Sequence, residues 1–141
     1  MTEAAIVSTA RTPIGKAFRG AFNNTHGATL GGHAIKHTVE RAGIDPALIE
    51  DVVMGCGMPE GETGHNIARL SAVRAGLPIG TAGTTVNRFC ASGLQAIAMA
   101  SHRVILGELP AAVGGGVESI SLVQPRRQAG LVREAWLAEH K

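Results

Sequence analysis

Short runs of small and β-branched residues alternate along this chain with helix-like segments that stop at glycine, and that alternation limits the fold more than any single residue does. Ala4–Ser8 (AAIVS), 51–55 (DVVMG), 83–89 (GTTVNRF) and 111–119 (AAVGGGVES) are the strand candidates. Brief apolar runs bounded by turn residues are what buried parallel strands require, because both faces of such a sheet are covered. Between them, the segment from Thr29 (TLGGHAIKHTVERAG) brings Leu30, Ala34, Ile35, Thr38 and Val39 near one helical face, with Gly43 suited to a C-cap and Asp45-Pro46 to the turn out. A second helix is expected over 66–76 (NIARLSAVRAG), capped by Asn66, turning Ile67, Leu70 and Val73 inward, and stopped by Gly76 and Pro78. The third candidate, 91–106, is apolar on nearly every side, the pattern of a helix buried all round.

The resulting order, β-α-β-α-β-α-β, predicts an α/β fold with a mostly parallel sheet, helices on both faces and right-handed crossovers. Ligands bind such sheets at the carboxyl ends of the strands. Beyond Ser121 the pattern weakens into a linker and a short helix carrying Leu131, Val132, Ala135 and Trp136. A chain of 141 residues can bury a core as one domain without a disulfide or a metal.

Composition narrows the partners. A formal charge of +2 with only 3% aromatic residues supplies neither the basic field nor the stacking rings that nucleic acid needs, so none is expected. No apolar run approaches the length of a membrane span. The chain opens on a strand-like run without a charged leader, from which a cytoplasmic location and free thiols at Cys56 and Cys90 are expected.

Cys90, in NRFCASGLQA (87–96), falls where the third expected strand gives way to the third helix. A sulfur so placed lies near unpaired backbone N–H groups and the positive end of the helix dipole, both of which favour thiolate over thiol. Ala91, Ser92 and Gly93 leave space beside it for a substrate, and the Cys90 N–H can act as an oxyanion donor. A cysteine at a strand end is as readily a small apolar core residue, and the local residues leave both readings open. Cys56, in MGCGMPEG, has no helix starting directly after it and reads as structural. Gly55, Gly57 and Gly61 are one residue too widely spaced for a dinucleotide loop, and Ile14-Gly15-Lys16 lacks the flanking residues of a phosphate-binding loop. His33 and His37 lie four apart, but Ala34 stands where a zinc-binding helix of that spacing carries Glu, so no metal site is expected. Gly114–Gly116 read as a turn, and Arg126-Arg127 as a solvated loop.

Taken together, several segments resemble one family. VNRFCASGLQAIAMA (86–100) closely resembles the active-site segment of the thiolases, in which the cysteine becomes acylated. GGGVESIS (114–121) and STARTPIGKAFRGAF (8–22) resemble two further segments of that family, and MGCGMPEG (54–61) looks most like the 3-ketoacyl-CoA thiolases of fatty-acid β-oxidation. The resemblance runs through residues 4–121 and implies an acyltransferase. Cys90 would be the nucleophile, Ser92 and Gly93 would border the substrate, CoA would be substrate rather than cofactor, and no metal would take part. It also implies acyl-CoA and CoA as ligands, a homo-oligomer or a complementing thiolase chain as partner, and an amino-terminal half-domain over 1–121. Residues 122–141 would then begin the loop domain or form a tail, the chain stopping before the family's fifth strand. Thiolases further use a histidine in a Gly-His-Pro segment and a second cysteine in a Cys-x-Gly segment. No histidine here precedes proline, and Cys56-Gly57-Met58 does not match. The chain by itself is therefore expected to turn over little substrate. The alternative is a noncatalytic thiolase-like module that binds a partner chain or an acyl group.

Overall fold

The computed structural model of the protein describes residues 3–127. Three parallel strands, β1 (Ile49–Gly55), β2 (Ala82–Val86) and β3 (Ala111–Gly116), form a sheet in the order β2-β1-β3. The helices are α1 (Gly27–Ala42), α2 (Ile67–Ala75), α3 (Ser92–Ile105) and α4 (Ile120–Arg127). Central β1 is buried on both faces, which is why it reads as one apolar run rather than as an alternation. Val52 and Met54 pack with Ile35 and Val39 of α1 and Ala68 and Ala72 of α2, whereas Val53 packs with Ala96 and Ala100 of α3.

Local signals start and stop the helices. The His26 ring accepts the Ala28 N–H at 3.1 Å, so α1 begins two residues before Thr29. Gly43 and Gly76 close α1 and α2 in the left-handed conformation expected of them. Asn66 caps α2 by accepting the Arg69 N–H at 3.1 Å, and its amide also donates to the Gly83 carbonyl at 2.7 Å, so the cap docks the helix onto β2. The Arg69 guanidinium adds bonds to the carbonyls of Ile79 and Thr81.

Several expectations are corrected. Ala4–Ser8 joins no ladder among the described residues, and Ile6 and Val7 are each 73% exposed. A strand exists only through a bonded neighbour, and an apolar groove of about 590 Å³ separates Ala4–Ala10 from β3. The Arg41 guanidinium instead ties this stretch to α1 by donating to the Thr9 carbonyl at 2.9 Å.

The buried face of α2 is rotated from the expected one: Leu70 and Val73 are 42% and 52% exposed, and Ile67, Ala68, Ser71 and Ala72 face inward. Gly31 of α1 meets Ser71 so closely that a Cβ there would collide with the serine side chain. Contact at that range selects small residues for the inner face. The sheet covers one side of α3, while Leu94, Ile97 and Ile105 are exposed on the other, as its apolar surround implies for this length of chain alone. Gly114–Gly116 belong to β3 rather than to a turn, and α4 occupies the start of the expected linker. The helix expected around Leu131–Trp136 lies outside the described residues. Among the described residues no helix is long and apolar enough to cross a membrane.

Candidate active site

Parallel register brings the three strand ends level. Gly55 pairs with Val86 on one side and with Gly116 on the other. Two bonds extend the alignment past the strands: the Cys56 N–H donates to the Val86 carbonyl at 2.9 Å, and the Val117 N–H to the Gly55 carbonyl at 3.0 Å. The loops carrying Cys56, Cys90 and Glu118 therefore gather at the carboxyl end of the sheet. The strand order also switches sides about β1 there, since β2 lies to one side of it and β3 to the other.

The start of α3 is seated on those strand ends through residues without side chains. A Cβ on Gly55 would collide with the Ser92–Gly93 peptide, and one on Gly116 would lie 3.4 Å from the Gly93 Cα. Cys90 is the middle residue of a tight 3₁₀ turn, Phe89–Ala91, that runs directly into α3. Phe89 has φ 49, a conformation that costs a non-glycine residue about 1–3 kcal/mol and persists only where its surroundings impose it. Hydrogen bonds do so here. The Phe89 N–H donates to Asn87 Oδ1 at 2.8 Å, the Arg88 N–H to Ser92 Oγ at 2.8 Å, and the Ser92 hydroxyl to the Phe89 carbonyl at 2.6 Å. The Arg88 guanidinium adds a 2.8 Å bond to Gln95.

Cys90 is exposed and free, and its backbone N–H lies among the donors that the start of a helix leaves uncommitted. Ser92 is buried with its hydroxyl committed to the turn, whereas no atom lies within 4 Å of where a Gly93 Cβ would point. The Gly93 side is therefore open, and Ser92 faces inward. His33 and His37 sit edge to face with ring centroids 4.4 Å apart, and His37 faces Glu40 at 3.2 Å. No group of three or more metal-ligating side chains occurs among the described residues.

The other cysteine has the opposite character. Cys56 is 1% exposed, and its thiol faces Glu118 Oε1 at 3.5 Å. Burial, and then the negative charge of Glu118, push this thiol from 9.0 up to about 11. The folded protein therefore holds the Cys56 proton where the unfolded chain has lost it, so stability falls as pH rises from about 9 to about 11, by about 1–3 kcal/mol. Urea midpoints measured across that range should show this loss, and Cys56→Ala should remove the Cys56 share of it.

Glu118 is a residue that sequence reading passed over. It follows β3 in the loop after the glycine run, and its carboxylate accepts the Gly57 N–H at 2.7 Å and the Met58 N–H at 3.3 Å. The only sequence signal was an acidic residue just past a strand end, GGGVES.

Comparison with known proteins places the fold in a family. Residues 4–140 match the model of a protein family described as the N-terminal domain of thiolase. The chain is 46% identical over 123 residues to a 3-ketoacyl-CoA thiolase of Bacillus subtilis (strain 168), a match covering 87% of this chain and 32% of the relative. It is 43% identical over 122 residues to an acetyl-CoA acetyltransferase of Paracoccus denitrificans, covering 86% of this chain and 31% of that one. Its fold superposes on the crystal structure of the Bacillus anthracis acetyl-CoA acetyltransferase with a TM-score of 0.82 at 33% identity, covering 87% of this chain and 31% of the other. The chain thus spans about a third of the length of the curated relatives it matches. On its strand order, its local architecture and these matches, the chain belongs to the thiolase family and matches that family's N-terminal domain.

Proposed function

We propose that this chain supplies the nucleophile of a thiolase reaction and that Cys90 is that nucleophile. The observation that carries the reading is the contrast between the two sulfurs: Cys90 is exposed at the strand carboxyl ends in a turn held by four hydrogen bonds to side chains, while Cys56 is sealed and protonated. In the reaction proposed, the Cys90 thiolate attacks the keto carbon of a 3-ketoacyl-CoA and the bond between C2 and C3 breaks. The electron pair leaves on the acetyl-CoA fragment, which takes up a proton. The sulfur of a CoA thiolate then attacks the acyl-cysteine, acyl-CoA forms, and Cys90 departs as thiolate. Because the bound acyl group is a thioester like the substrate, neither half-reaction ends in a deep minimum. Run in reverse, the same steps condense two acetyl-CoA molecules.

The Cys90 N–H and the open side at Gly93 are the groups of this chain that would meet the acyl oxygen and the substrate. Proton carriers for the carbanion step are assigned to the two thirds of the relatives' length that this chain does not cover, so the chain alone turns over little substrate. CoA enters as substrate, and a second chain or copy completes the catalyst. Supplied with the remaining portion of a relative and incubated with acetoacetyl-CoA, the chain should gain one acetyl group, placed on Cys90 by peptide mass mapping. An acetyl group found elsewhere, or none at all, would refute the assignment.

The exposed apolar face of α3, with Leu94, Ile97 and Ile105, favours a second reading, a noncatalytic module that binds a partner through this face. Partner binding and biological output unchanged in Cys90→Ala would select it.

A further inference from the structure

We infer that Glu118 is a positioning residue for Cys90, acting through the Cys56–Met58 loop; the inference rests on the reading of Cys90 as nucleophile. Although Glu118 is an exposed residue, both of its carboxylate oxygens are committed. Oε2 accepts the Gly57 N–H at 2.7 Å, and Oε1 accepts the Met58 N–H at 3.3 Å and the Cys56 thiol at 3.5 Å. Consecutive residues of the β1 loop thus present three donors to one anion supplied by the β3 loop, a concave arrangement suited to negative charge. The raised Cys56 pKa keeps the third donor protonated across the ordinary pH range.

The link to Cys90 is Gly57. A Cβ built there would lie 3.0 Å from Glu118 Oε2 and 3.4 Å and 3.5 Å from the Phe89 carbonyl oxygen and carbon. That carbonyl carbon is the atom bonded to the Cys90 nitrogen. The carboxylate and the Phe89–Cys90 peptide therefore both lie against Gly57, whose N–H the carboxylate holds, next to the turn whose Phe89 is held at positive φ. A strained turn keeps its shape only while such contacts persist. The carboxylate is the group suited to this place, since all its partners are donors. Glutamine would accept on one side and set its own N–H₂ against a donor on the other.

The test uses the whole chain and iodoacetamide at fixed pH, with alkylation at Cys90 and Cys56 followed separately by peptide mass mapping. A synthetic NRFCASGLQA peptide provides the unorganised cysteine. Wild-type Cys90 should react faster than the peptide, and Glu118→Ala should slow Cys90 by about fivefold, the loss expected from one net hydrogen bond of positioning. Cys56 should become reactive in the same variant, and Glu118→Gln should give an intermediate Cys90 rate at a melting temperature close to wild type. If Glu118→Ala fails to fold, Glu118→Gln decides alone. A Cys90 rate unchanged in the decisive variant, with wild type still faster than the peptide, overturns the positioning role and leaves the nucleophile standing. Wild type reacting no faster than the peptide overturns both.

Discussion

Cys90→Ala should abolish the proposed acyl transfer. In the catalyst completed by the remaining portion of a relative, thiolysis of acetoacetyl-CoA should fall by at least about 10³-fold, as losses of a covalent nucleophile do. Alanine removes the proposed acyl carrier while leaving the hydrogen bonds of the turn in place, since those run through Asn87, Arg88 and Ser92 rather than through the cysteine side chain. The melting temperature should therefore stay near wild type, which separates lost chemistry from lost fold. Cys56→Ala is the matched control. Its sulfur is buried and protonated, so it should cost stability without moving the acyl group from Cys90. An acetyl group appearing on Cys56 in the Cys90→Ala protein would contradict the division of roles.

Gly55→Ala should be the most damaging single-methyl change. The added Cβ would collide with the Ser92–Gly93 peptide, which is backbone and cannot turn aside as a flexible side chain can. Relief requires the start of α3 to lift from the strand ends, at a cost of about 1–3 kcal/mol or more for overpacking. That lift moves the turn bearing Cys90, so urea midpoint and alkylation rate should fall together. Gly93→Ala supplies the contrast, because no atom lies within 4 Å of its Cβ direction and its backbone has no positive φ. Its midpoint should remain within about 0.5–1 kcal/mol of wild type, the span of helix propensity between the two residues. Equal damage from both would show that close approach at Gly55 is not what seats the helix.

What could be read from the chain in advance were features set within a few residues. Asn66 caps α2, Gly43 and Gly76 terminate their helices, and Cys90 stands between a strand and a helix, all as local chemistry requires. The family was legible too, because VNRFCASGLQAIAMA is specific by itself. Other features depended on partners far away in sequence. Ala4–Ser8 has the composition of a strand but no bonded neighbour, and α2 buries Ser71 rather than Leu70 because Gly31 of α1 comes so close. The role of Glu118 was invisible for the same reason, since its partners are 60 to 62 positions away.

By itself, then, the sequence determined the alternation of elements after Gly43, the caps at Gly43, Asn66 and Gly76, and the place of Cys90 between a strand and a helix, since backbone propensity and capping act over one turn of chain. Tertiary structure decided which faces are buried, that Gly55 and Gly116 seat α3, and that the loops of Cys56, Cys90 and Glu118 lie together. Those outcomes follow from the register of parallel strands and from backbone approach at van der Waals range, quantities that exist only once distant segments have met.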